Sequence, residues 1–173
     1  MKNKIFFIFL AVCIATHIVR SVYEILKHKK MLKASKLTFL IIFMNMFLLW
    51  ISWFALCMND IYKIDVIGII RYSGILLVAL GIIVFLTALF TIKTLESYEG
   101  DLITGGIYSK IRHPMYLGFI LWLIGFPLFN GALFSMMLAV VFIANILFWR
   151  SLEEKELEKR YASYKQYKMT TLF

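Results

Sequence analysis

Gly105-Gly106-Ile107-Tyr108-Ser109-Lys110-Ile111-Arg112-His113-Pro114-Met115-Tyr116 is a polar interval between two apolar runs. It marks where one membrane helix has left the bilayer and the next begins. Proline is favoured at the first helical position, and it pushes the residue before it, His113, into an extended conformation. The peptide N–H groups at such a start are unpaired and can receive an anionic group. Gly105 and Gly106 let the backbone turn tightly or approach a ligand closely. Taken alone, Arg112 and His113 also read as interfacial anchors, with Tyr108 and Tyr116 as aromatic-belt residues.

Outward from this interval the chain is lipid-facing. Of 173 residues, 62% are hydrophobic and 17% charged, more apolar surface than a soluble domain of this size can hide. Each span needs ~20 apolar residues, so the length allows about five. The expected fold is all-α: a single membrane domain over 1–173, an integral bundle of about five transmembrane helices with a cytoplasmic C-terminal amphipathic helix. The spans fall near Ile5–Leu26, Leu37–Met58, Val66–Ile92, Pro114–Phe129 and Ala132–Trp149, and the charge-rich helix runs from Ser151 to about Lys168. Residues 1–92 hold three N-terminal spans, and 93–173 form the chemistry-bearing core of loop, hairpin and tail helix. The first run resembles a signal-peptide start but lacks a small-residue cleavage pattern, so it reads as an uncleaved span.

The net charge of +9 is explained by flanks rather than by nucleic acid, for which there is no motif. Lys27, Lys29, Lys30, Lys33 and Lys36 crowd the first connection, Lys93, Lys110 and Arg112 the third, and the tail is basic. These face the cytoplasm by the positive-inside tendency, with the N-terminus outside and the C-terminus inside. Both polar clusters then lie on the cytosolic side. Cys13 and Cys57 sit inside apolar runs without metal-ligand spacing, and no metal is expected.

Glu153 and Glu154 follow span five where lysine or arginine is the usual flank. They fit the first turn of a helix, and they equally place a carboxylate at the membrane boundary where it can neutralise an ammonium. Leu157, Tyr161 and Tyr164 recur from Glu153 at helical spacing, so this stripe can pack back onto the bundle. His17, Arg20 and Glu24 share one face of span one, and the Arg20–Glu24 pair reads as structural. Asn45 and Asn145 read as interhelical hydrogen-bonding residues.

Gly106-Ile107-Tyr108, then Arg112-His113-Pro114-Met115-Tyr116-Leu117-Gly118, then Glu153-Glu154-Lys155-Glu156-Leu157 and the Tyr161/Tyr164/Tyr167 tail resemble the isoprenylcysteine carboxyl methyltransferase family. That family groups with phospholipid N-methyltransferases among membrane enzymes that use S-adenosylmethionine. The resemblance covers about residues 93–168; spans one to three match only in being membrane helices. It implies an S-adenosylmethionine pocket lined by Tyr108, His113, Pro114, Met115 and Tyr116, with further contacts from Leu102 and Ile103, and Glu153 as the carboxylate that holds the cofactor. The family's substrate-contacting arginine aligns with Trp149, one residue before Arg150, and its role is carried to Arg150. Ile107 stands where many members have proline, and Ala162 where many have glycine.

The chemistry needs few parts. A sulfonium methyl is intrinsically electrophilic, so in-line positioning is the main service. The aromatic faces of Tyr108, Tyr116 or Trp149 can stabilise the sulfonium by about 0.5–2 kcal/mol. An amine acceptor would need a base, which His113 or Glu154 can supply, whereas a carboxylate or thiolate would not. The expected partners are the bilayer and a lipophilic acceptor, an isoprenylcysteine-type carboxylate or related lipid, in a bacterial or archaeal plasma membrane. Two other readings stand beside this one. A sterol-reductase-like membrane enzyme would use NADPH, but its motif usually has asparagine before the tyrosine, where this chain has Met115. A non-catalytic lipid-binding membrane protein would keep the fold without binding the cofactor.

Overall fold

The computed structural model describes residues 2–32, 35–92 and 101–173. Six helices follow in order: α1 (Lys2–His28), α2 (Lys36–Met58), α3 (Gly68–Ile92), α4 (Pro114–Asn130), α5 (Leu133–Arg160) and α6 (Tyr164–Thr170). A single 3₁₀ turn, Gly106–Ser109, precedes α4. The described residues contain no strand, and the protein is an all-α membrane bundle. Four helices (α1, α2, α3 and α5) are long and apolar enough to cross a bilayer, and α4 is a shorter apolar helix of 17 residues. At 1.5 Å per residue α4 spans ~26 Å, close to the hydrocarbon thickness. Lys33 and Lys93, two of the charges used to orient the chain, lie outside the described residues.

The tail differs from the sequence expectation. No new helix begins at Ser151: α5 is continuous from Leu133 to Arg160, 28 residues or ~42 Å. Its last turns therefore project beyond the hydrocarbon as a polar extension carrying Glu153 and Glu154. The helix stops at Tyr161, which is extended (φ −122°, ψ 114°), and the chain reverses into the short α6. A charge-rich sequence fixes the change of solvent but not a break in hydrogen bonding, so composition alone misplaced the boundary.

The core of the hairpin is built on close backbone approach. Gly74 and Gly81 of α3 face Gly125 and Gly118 of α4, and a Cβ at Gly125 would lie 2.5 Å from the Gly74 carbonyl oxygen. Small residues at such positions let membrane helices pack where lipid supplies no hydrophobic drive. Gly118, the last residue of the RHPMYLG motif, is a packing glycine of this seam, with Gly81 O 2.7 Å from a Cβ there. At the opposite end from the motif, the α2–α3 loop closes on the α4–α5 turn. Ile64 N donates to Gly131 O (2.9 Å), Leu133 N donates to Tyr62 O (2.9 Å), and Asp60 accepts from Ser135 N and Oγ (both 2.7 Å).

Helix α1 is tied to α5 by a polar seam. Trp149 Nε1 donates to Ser21 Oγ (3.0 Å), Ser21 Oγ donates to Asn145 Oδ1 (2.9 Å), and Asn145 Nδ2 meets His17 Nδ1 (3.2 Å). Asn45 Nδ2 donates to Thr16 O across the α1–α2 contact. Both asparagines thus bond between helices, as their place in apolar runs implied. Cys13 and Cys57 are buried and unpaired.

Candidate functional site

The C-terminal ends of α1, α3 and α5 and the starts of α2 and α4 meet at one end of the bundle, around a cavity of about 450 Å³. The first and third connections and the tail therefore share one end, as the charge pattern requires. Eight of the ten singled-out residues line this cavity: Leu102, Ile103, Tyr108, His113, Pro114, Met115, Tyr116 and Glu153. They come from three separated stretches of chain. Arg150 and Glu154 do not line it.

Pro114 opens α4 at its first position, and His113 stands before it with φ −123° and ψ 60°, outside the helical region. Its side chain makes no capping bond to the helix and is free to turn sideways. His113 Nδ1 lies 3.7 Å from Glu153 Oε2, and Nε2 lies 3.4 Å from Glu154 Oε1 and 3.4 Å from the Tyr164 hydroxyl. One imidazole thus bridges two adjacent glutamates. Tyr116 stacks beside His113 (5.8 Å between rings) and shares the cavity wall with Glu153. Gly106 has φ +57°, a conformation that suits glycine, and the turn it starts buries Tyr108. Burial, reinforced by Glu153, pushes the Tyr108 phenol above its ordinary pKa and keeps it a donor.

The two glutamates are placed very differently. Glu153 is half-exposed on the cavity side, with 43% of its side chain accessible. Glu154 is buried among three cations, Arg112 Nε and Arg150 Nε at 3.5 Å and Lys168 Nζ at 2.8 Å, with His113 Nε2 at 3.4 Å beside them. Arg112 continues into the tail, donating from Nη1 to Lys168 O (2.9 Å) and Thr171 O (2.5 Å). Two backbone bonds, Leu172 N to Lys110 O and Arg112 N to Leu172 O, and one side-chain bond, from the Tyr167 hydroxyl to Tyr108 O, complete the clamp. Glu154 and Arg112 therefore fasten the tail across the motif loop. Arg150 stacks on the Phe173 ring (4.6 Å) and faces the tail, away from the cavity.

Arg150, expected to contact substrate, and Glu154, expected as a base, stand outside the cavity lining, where Glu154 is held by Arg112, Arg150, Lys168 and His113. Trp149 is fully buried, its N–H given to Ser21 and one face covered by Arg20 (5.7 Å), so it offers no open ring to a bound cation. Of the tail stripe, Leu157, Tyr161 and Tyr164 all line the cavity, with Tyr164 supplied from beyond the helix break.

Sequence reasoning missed the opposite wall. Arg20, Glu24 and Lys27 of α1 and Phe43, Met46 and Trp50 of α2 also line the cavity. Helix α2 is apolar on every face, so no periodicity distinguishes the side that looks inward from the side that meets lipid.

A model of the phospholipid methyltransferase family matches residues 69–164, from the first turn of α3 to the start of α6. The chain belongs to that family, which includes the isoprenylcysteine carboxyl methyltransferases, and is a membrane methyltransferase on that ground. No curated protein and no solved structure matches the chain.

Proposed function

We propose that this protein transfers the methyl group of S-adenosylmethionine to a lipophilic acceptor at the cytoplasmic face of a prokaryotic plasma membrane, with 93–173 as its catalytic core. The observation that carries the reading is the convergence of Leu102, Ile103, Tyr108, His113–Tyr116 and Glu153 on one cavity at the end of the bundle. The residues fit the group chemically. Among the described residues no lysine or arginine forms an ion pair with Glu153, which leaves its carboxylate suited to the cofactor's ammonium or ribose hydroxyls. Tyr108 and Tyr116 add aromatic surface and phenol donors beside it.

When bound, the cofactor supplies an electrophilic methyl on a positively charged sulfur. The protein's own residues then position and exclude. His113 orients the Glu153 carboxylate by its contact with it. The tail clamp centred on Glu154 holds Tyr164 and Tyr167 against the motif loop and closes the cytosolic side. His113, beside Glu153 in the cavity, stands where it can take a proton from an amine acceptor, whereas a carboxylate needs none removed. Access for a lipid runs between α2 and α3, which make no extensive contact while both contribute to the cavity wall. Isothermal calorimetry with S-adenosylmethionine on the detergent-purified protein should show saturable binding that sinefungin blocks. Absence of binding sinks the proposal.

A further inference from the structure

The family match begins at residue 69 and leaves α1 unassigned, yet α1 contributes three charged side chains to the cavity. Arg20 pairs with Glu24 one turn on. Its guanidinium is sandwiched between the Tyr23 and Trp149 rings, at 5.3 and 5.7 Å, and lies within electrostatic reach of Tyr116 and Glu153. Two aromatic faces and a partner carboxylate fix the fork in place, and the Ser21–Asn145–Trp149 seam fixes the helix that carries it.

Such a pair is costly to bury at a membrane boundary unless it serves a purpose or is fully bonded. It is not fully bonded. Arg20 gives Nη2 to Glu24, while its Nε–H is buried without a partner among the described residues. A guanidinium has only donors, so its remaining capacity can be met only by an acceptor atom, and an ammonium head group is repelled. The other arginines at this end of the bundle are engaged elsewhere: Arg112 by Glu154 and tail carbonyls, Arg150 by Glu154 and Phe173, and Arg160 by Glu156, while Arg71 lies early in α3, away from the cavity. Helix α1 brings Arg20 and Lys27 to the cavity against one carboxylate of its own, Glu24.

We infer that Arg20, steadied by Glu24, is the specificity-determining residue for the acceptor: it takes an anionic oxygen group of an amphiphile whose tail lies along Phe43, Met46 and Trp50 of α2. The shared chemistry is a terminal carboxylate or a lipid phosphate. The inference rests on the methyl-transfer reading only for why an acceptor is held there. Head-group recognition itself is independent of the donor.

The test compares dibrominated stearate, stearyl alcohol and stearylamine as quenchers of tryptophan fluorescence, at mildly alkaline pH where the acid is ionised. Trp50 and Trp122 line the cavity and report its occupancy. Wild-type protein should bind the carboxylate at least about tenfold more tightly than the alcohol, with the amine weakest. Arg20→Gln should abolish that ratio without changing affinity for the alcohol, a pattern that a purely structural arginine would not produce. Arg20→Lys, which keeps the charge but loses the fork, should retain part of the preference and serves if the glutamine variant fails to fold. Competition by phosphatidic acid against the unlabelled fatty acid separates the two sources, and superiority of either supports the assignment. Equal binding of all three head groups by wild type, or an unchanged ratio in either Arg20 variant, overturns it. The assay contains no cofactor, so failure of S-adenosylmethionine binding and failure of this inference are read separately.

Discussion

The two walls of the cavity differ in how they are made. The α4–α5–tail wall is polar, dense in hydrogen bonds and assembled from short motifs: RHPMY, the Glu153–Glu154 pair and the tail tyrosines. The α1–α2 wall is two apolar helices with one charged turn, Arg20 to Lys27. On the proposed function the difference teaches a division of labour: the water-soluble donor would be met by groups that a sequence displays openly, and the lipophilic acceptor by side chains that look like any membrane helix.

The comparison can be broken at its foundation. Both walls depend on α4 standing against α3, so Gly125→Leu, which drives a side chain into the Gly74 backbone, should cost several kcal/mol, about 3 or more. Loss of the monodisperse peak in size-exclusion chromatography of the detergent-purified protein is the check. A well-folded variant would show the seam to be adjustable.

Next in size is the contrast between walls. Glu153→Ala should weaken S-adenosylmethionine binding by about 100-fold, or ~2.7 kcal/mol, while Arg20→Gln leaves it within a factor of about two. Calorimetry on both variants decides this, and equal losses would mean that the two walls do not divide donor from acceptor. Within one wall, adjacent carboxylates should separate by role. Glu154→Gln leaves Arg112 and Arg150 facing a neutral amide and should destabilise the fold by about 2 kcal/mol. Glu153→Gln, at a half-exposed position, should barely move the melting temperature. Thermal unfolding in one detergent compares them directly, and the reverse order would reassign the clamp.

The smallest effect concerns pH. Hydrogen bonds to Glu154 and Glu158 raise the Lys168 pKa above its ordinary value of ~10.5. A raised folded-state value means that the contribution is fully present below the unfolded pKa and is lost as pH climbs through the folded one. Limited proteolysis of the tail should therefore distinguish Lys168→Met from wild type at neutral and mildly alkaline pH, with the two converging only as the pH climbs through the raised Lys168 pKa. Lys168 is 40% exposed, so the effect is screened and modest.

Much of this protein was determined by its sequence alone. Apolar runs of bilayer length set the helical membrane class, Pro114 set the start of α4, and lysine placement set which ends lie together, because each is a local or one-dimensional property. The eight cavity residues of the motif wall were legible for the same reason: polar and glycine residues stand out against lipid-facing sequence. The tertiary structure alone decided three things. It sent Glu153 to the cavity and Glu154 to the tail clamp, since consecutive helical residues point about 100° apart and only packing says which direction is inward. It put Arg20 of α1 on the cavity wall and Arg150 against the tail, because α1 and α5 meet through a seam that no sequence distance reveals. And it chose the inward face of α2, for where lipid and protein interior are equally apolar, hydrophobicity carries no direction.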